Sequence, residues 1–139
     1  MTDADDILTM TEQQLKERFP VPRELPDMVI NGELLVADFG TSCITTAHIV
    51  HCVDWQRRKR PGEALRILMI GETATNVKGE IASVGANPFV SEVTHALAMV
   101  SRSKIGQILG NIYIGISRNP YPTRLFTDEQ AARRWLEAQ

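Results

Sequence analysis

Apolar residues in this chain come in two kinds of run. Short aliphatic blocks stand at 28–40, 64–71, 93–101 and 123–126, and between them lie longer segments with apolar residues three and four apart. Blocks of the first kind suit strands and segments of the second suit amphipathic helices. "MVINGELLVADFG" at 28–40 predicts a β-hairpin, with Asn31-Gly32 as the two turn residues that need positive φ. Gly40, Thr41 and Ser42 then end the strand and offer a helix cap. "SCITTAHIVHCVDWQRRKRPG" at 42–62 predicts a helix closed by Pro61-Gly62. "ALRILMIG" at 64–71 and "VTHALAMVS" at 93–101 lack alternation and predict central strands buried on both faces. Between them, 72–89 predicts a short helix capped by Thr75 or Asn76 and broken by Gly85, Asn87 and Pro88.

The last third repeats the alternation. Ile105, Ile108, Leu109, Ile112 and Ile116 fall at helical spacing over 103–117. Gly106 and Gly110, four apart, give that helix one face without side chains, suited to close approach to a sheet. Asn119, Pro120 and Pro122 form a turn, and Thr123 to Phe126 a short strand. Thr127 is the expected cap of a closing helix, with Gln130 at the capping-box position. Ala131, Ala132, Trp135 and Leu136 form its core-facing stripe, with Phe126, Trp135 and Leu136 as anchors. Strands alternating with helices imply right-handed crossovers. The expected fold is α/β: a mainly parallel five-stranded sheet with an N-terminal hairpin and about four helices.

Residues 1–27 read differently. "TEQQLKERF" at 11–19 suits a short helix capped by Thr11 with Gln14 as box partner, and the prolines at 20, 22 and 26 cannot continue it. We take 1–27 as an acidic extension, partly ordered or helical, and 28–139 as the domain. Residues 1–33 hold 8 acidic and 3 basic side chains, and the remainder 9 and 12. Neither balance is strong enough to argue for nucleic acid. The longest clean apolar run, "ILMI" at 67–70, falls far short of the ~20 residues of a membrane span. The acidic start lacks the form of a secretory signal, so a cytoplasmic location is expected. Cys43 and Cys52, placed on one helix, would stand ~13 Å apart and could not pair.

Candidate chemistry is sparse. In "CITTAHIVHC", His48, His51 and Cys52 share a helix face and are the candidate zinc ligands, with Cys43 or His95 as a fourth. No closed zinc spacing or H-E-x-x-H accompanies them, and their ordinary reading is as helix and core residues. Cys43 with His48 is a candidate nucleophile–base pair without a recognised motif. Glu72 and Glu80 flank the end of a central strand but read as surface carboxylates. No phosphate loop is present, and "RRKR" at 57–60 reads as a solvated helix end. No cofactor is expected.

The closing pattern "NPYPTRLFTDEQAARRWL" (proline, a strand ending in Phe, an acidic cap, Ala, then Trp-Leu) resembles that of STAS domains and the SpoIIAA-like proteins, the fold of anti-sigma-factor antagonists. "IGQILGN" is similar to the helix that precedes it, and the resemblance covers about residues 28–138. It implies a regulatory domain phosphorylated on a Ser or Thr at the start of the helix after the third strand, in an Asp-x-Ser context. Here that place is "MIGETATNVKG": the triplet is absent, and Thr73 and Thr75 are the candidate phosphoacceptors. The leading expectation is a non-catalytic interaction module with a protein partner, a homodimer being one form of it. The alternative, implied by a related fold in lipid-transfer proteins, is a carrier of small apolar ligands with the 105–116 helix as a pocket wall. A Cys/His metal site or enzyme ranks third.

Overall fold

The computed structural model describes residues 6–75 and 77–139. Helix α1 spans Glu12–Arg18, strands β1 and β2 span Asp27–Asn31 and Leu34–Asp38, and β3 is the two-residue strand Cys43–Ile44. Helix α2 spans Thr46–Lys59, β4 Leu65–Ile70, β5 Thr73–Ala74, α3 Glu80–Val84 and α4 Pro88–Ser91. The chain closes with β6 (Thr94–Val100), α5 (Lys104–Ile116), β7 (Thr123–Phe126) and α6 (Glu129–Glu137).

The main sheet has five strands in the order β1-β2-β4-β6-β7, and β3 pairs with β5 in a separate two-stranded sheet. Only the β1–β2 hairpin is antiparallel; β2–β4, β4–β6 and β6–β7 are parallel. This is the expected mainly parallel sheet with its opening hairpin. The described residues hold six helices rather than about four, because α1 is ordered and two short helices, α3 and α4, stand where one was expected.

Alternate residues sort the sheet into two faces. Leu35, Ala37, Leu65, Ile67 and Met69 pack with α2, α3 and α5. Leu68, Ala96, Ala98 and Val100 pack with Ala132 and Leu136 of α6. Three of the connecting helices therefore share one face, and α6 alone covers the other. Leu136 is 1% exposed, whereas Phe126 and Trp135 are half-buried with ring centroids 5.7 Å apart.

A third cluster lies beneath the N-terminal arm. Ile7 and Leu15 are fully buried against Val50 and Val53 of α2, Val84 of α3, and Phe89, Val90 and Val93 around α4. Thr11 caps α1 with Gln14 as its box partner, as expected. A helix of seven residues is marginal alone, so α1 owes its stability to this burial.

Four local expectations are corrected. The hairpin turn is Gly32-Glu33, because Asn31 pairs with Leu34; Gly32 supplies the positive φ of 59°. Helix α2 begins after Thr45 rather than Ser42, since Cys43 and Ile44 are drawn into pairing with Thr73 and Ala74. Cys43 is thus off the helix. Asp128, not Thr127, caps α6, accepting from the N–H groups of Gln130 and Ala131. Thr75 caps nothing: its N–H donates to the Ile44 carbonyl, and α3 starts only at Glu80. Asn76, the other expected cap, lies outside the described residues.

Candidate functional site

The parallel strands β4 and β6 end side by side, and helix α5 crosses above them. Two glycines set its height. A side chain at Gly106 would collide with the Glu72 carbonyl and the Ser101 hydroxyl, and one at Gly110 would meet Leu125 Cδ1 at 2.9 Å. The helix sits low at these two points, and a cavity of about 100 Å³ remains beside them. Its floor is Met69, Leu97, Met99 and Leu125 of the sheet; Leu109 and Tyr113 of α5 wall one side, and Ile81 and Val84 of α3 the other. Ile44 and Ala74, from the small β3–β5 sheet, close the end. The lining is almost wholly apolar, as small-molecule sites usually are, with few polar groups to orient an occupant.

Polar groups in the lining are few, and those that flank it are largely engaged. Ser103 Oγ accepts from the Gly106 N–H at 3.0 Å, capping α5, and lies 3.3 Å from the Glu72 carbonyl. Asn119 Nδ2 donates to the Tyr113 hydroxyl at 2.9 Å, and Tyr121 donates to the Gly85 carbonyl at 3.0 Å. Burial raises both phenols above their ordinary range, with the Asn119 bond only partly opposing the shift at Tyr113. Neither is poised to give up a proton. Thr73 lines the cavity from β5, and Thr75 stands exposed in the loop before α3.

The structure also places the Cys/His helix. Thr45 N–H donates to His48 Nδ1 at 3.2 Å, so the proton of that ring is on Nε2, which donates to the Glu24 carbonyl at 2.9 Å. His51 Nε2 donates to the Phe19 carbonyl at 2.6 Å. Both imidazoles therefore hold the backbone of the arm. Cys52 packs in the core, and burial pushes its thiol up to about 12. Among the described residues no group of three or more His, Cys, Asp or Glu could hold a metal. The basic run is likewise occupied: Arg57 donates to the Phe89 carbonyl, Arg58 pairs with Asp54, Arg60 with Glu63, and Lys59 lies over Trp55.

Other contacts of the arm escaped the sequence pattern. Asn87, 1% exposed, donates to the carbonyls of Ile7 and Met10, which lie about eighty residues away, while its Oδ1 accepts from Phe89 N–H. Lys16 bridges to Asp54 at 2.6 Å, and Arg18 to Glu80 at 3.2 Å. Burial pushes the Asp54 carboxyl up, but the hydrogen bonds and charges of Lys16 and Arg58 outweigh it and hold the group below its usual range. A depressed carboxylate contributes fully above its unfolded value of ~3.9 and loses that contribution as pH falls through the folded one. Acidification below about pH 4 should therefore loosen α1 from α2, seen as faster amide exchange in the arm. Asp54→Asn should show the looser arm already at neutral pH; identical exchange profiles for the two proteins would refute this.

The model of a family described as a domain of unknown function, DUF7793, matches residues 40–139. The chain belongs to the DUF7793 family. The matched span of this DUF7793 chain starts after the β1–β2 hairpin and contains every residue named above as lining the cavity. No curated protein matches it. A solved structure that resembles it is an uncharacterised protein of the DUF3478 family, with a SpoIIAA-like fold, from Shewanella loihica PV-4. The two are 10% identical, with a TM-score of 0.52, over 80% of this chain and 91% of that one. At that identity the likeness concerns the fold, and the fold is SpoIIAA-like. No helix among the described residues is long and apolar enough to cross a membrane.

Proposed function

We propose that this DUF7793 chain is a non-catalytic binding module whose cavity beneath α5 takes a small apolar group. The observation that carries the reading is the cavity itself: apolar, about 100 Å³, and placed at the carboxyl ends of the parallel strands. Size limits the occupant. An apolar cavity of roughly 150 Å³ accepts a benzene ring, so this one suits a short or branched alkyl group, and a full acyl chain requires α5 to move outward. The non-catalytic part rests on the engaged histidines and the protonated Cys52 thiol. Two unpaired cysteines suit a reducing, cytoplasmic setting.

Methyl NMR during titration with a series of alkylbenzenes and short alkanoic acids tests the idea. Shifts should concentrate at Ile44, Met99, Leu109 and Leu125 and vanish in Ala74→Phe, which fills the space. A folded wild-type protein with no saturable shift at those methyls would sink it.

A second reading, a regulatory interaction module with a protein partner or a second copy, draws on the face that α6 leaves open. Val29, Val36, Leu68 and Ala98 form one row across the sheet. Leu68 and Ala98 are fully buried under α6, whereas Val29 at the edge is 54% exposed. A dimer in light scattering that Val29→Lys dissociates would favour this reading; a monomer with no partner dependence on Val29 would count against it.

A further inference from the structure

Helix α5 turns one side to the cavity and the other to solvent. Its outward residues are Ile105, Ile108 and Ile116, on one face of the helix, while Ile112 between them is half-buried and packs on the core. Ile105 is 59% exposed, Ile108 55% and Ile116 45%; no other element of the described chain carries more than one exposed large hydrophobic residue. Thirteen residues of helix give the stripe a length of roughly 20 Å. The charged residues nearest to it along the chain are cations. Arg102 and Lys104 are exposed at its start, Arg118 follows its end, and from Val93 to Thr127 the chain contains no Asp or Glu. The carboxylate-bearing residue that meets the helix start, Glu72, does so through its backbone carbonyl. The protein as a whole carries net negative charge, so this local excess of cations is against its average.

We propose that the outward face of α5 docks on an anionic lipid surface. A stripe of aliphatic side chains edged by cations is the pattern of a helix that lies in a bilayer interface, its apolar side among the acyl chains and its basic residues at headgroup depth. A protein partner would be expected to meet aromatic, Met or Arg anchors at the centre of the patch, and the centre of this stripe is isoleucine throughout. The stripe also needs no shape complementarity from its partner, which a fluid interface does not supply. Docking in this way is independent of whether the cavity is filled.

Flotation of the full chain with vesicles tests the proposal. Vesicles of phosphatidylcholine alone should retain little protein, and vesicles containing phosphatidylglycerol should retain it in a salt-sensitive manner. Ile105→Ser with Ile108→Ser should weaken retention by roughly tenfold or more. Arg102→Glu with Lys104→Glu should weaken it by roughly fivefold per charge site. All four positions are exposed, so circular dichroism should show unchanged folding. Wild-type protein that ignores anionic vesicles overturns the proposal, as does a folded isoleucine double variant that floats like wild type. A wild-type dimer that the same double variant dissociates, without vesicle binding, overturns it in favour of a second copy as the occupant.

Discussion

Replacing Leu15 by Ala should lower the free energy of unfolding by ~2–5 kcal/mol. The expectation is large for a residue in what reads as an acidic tail, and it follows from packing. Leu15 is fully buried and shares a cluster with Ile7, Val50, Val53, Val84, Phe89, Val90 and Val93. Truncation opens a void between α1 and three elements of the body, and α1 at seven residues has too little helix propensity to hold its place without the contact. The arm's backbone is fixed independently by His48, His51 and Asn87, so the void should collapse only in part. Urea denaturation followed by circular dichroism measures the loss. A change below about half a kcal/mol, the scale of an ordinary surface substitution, would mean that the arm contributes nothing to the folded state.

The second large effect is expected at the other end and on the other face. Leu136→Ala should cost ~2–5 kcal/mol and should cost at least as much as Trp135→Ala, although tryptophan is the larger residue. Leu136 is 1% exposed and packs on Leu68, Ala96, Ala98 and Val100, the centre of the face that α6 alone covers. Trp135 is half-buried and lies over Phe126 at the margin. Comparing the two denaturation midpoints decides the matter: a clearly larger loss for Trp135→Ala would make the margin, not the centre, the anchor of α6.

That contrast shows what the chain discloses in one dimension. The apolar blocks that became β4 and β6 and the isoleucine spacing of α5 were legible because period and length are local properties. The capping box of α1 was legible for the same reason. Size alone singled out Trp135, and burial depends on where a helix lands on the sheet, which no local pattern states. The start of α2 was displaced by a pairing between Cys43–Ile44 and Thr73–Ala74, two short stretches with no strand signal of their own. The turn slipped by one residue because Gly32 meets the demand for positive φ at either of two positions. Asp128 rather than Thr127 caps α6 since two adjacent cap-forming residues cannot be ranked without the backbone. The glycine pair of α5 did announce a close approach, but the floor, walls and end of the cavity beside it come from seven separate elements and could not be read in advance. The candidate metal ligands followed helical spacing correctly, yet spacing says nothing of the backbone carbonyls of the arm that His48 and His51 meet.

The docking of the arm has a consequence for how the protein comes into being. Ile7 and Leu15 leave the ribosome ahead of Phe89, Val90 and Val93, on which they settle and which are made about eighty residues later. At ~5–20 residues per second the arm waits roughly 4–16 s with its apolar groups unshielded. Its acidic composition then acts during synthesis, since like charges flanking a hydrophobic segment keep it from associating with others. A segment translated well before its docking site is thus held in solution by its charge until the body exists to receive it.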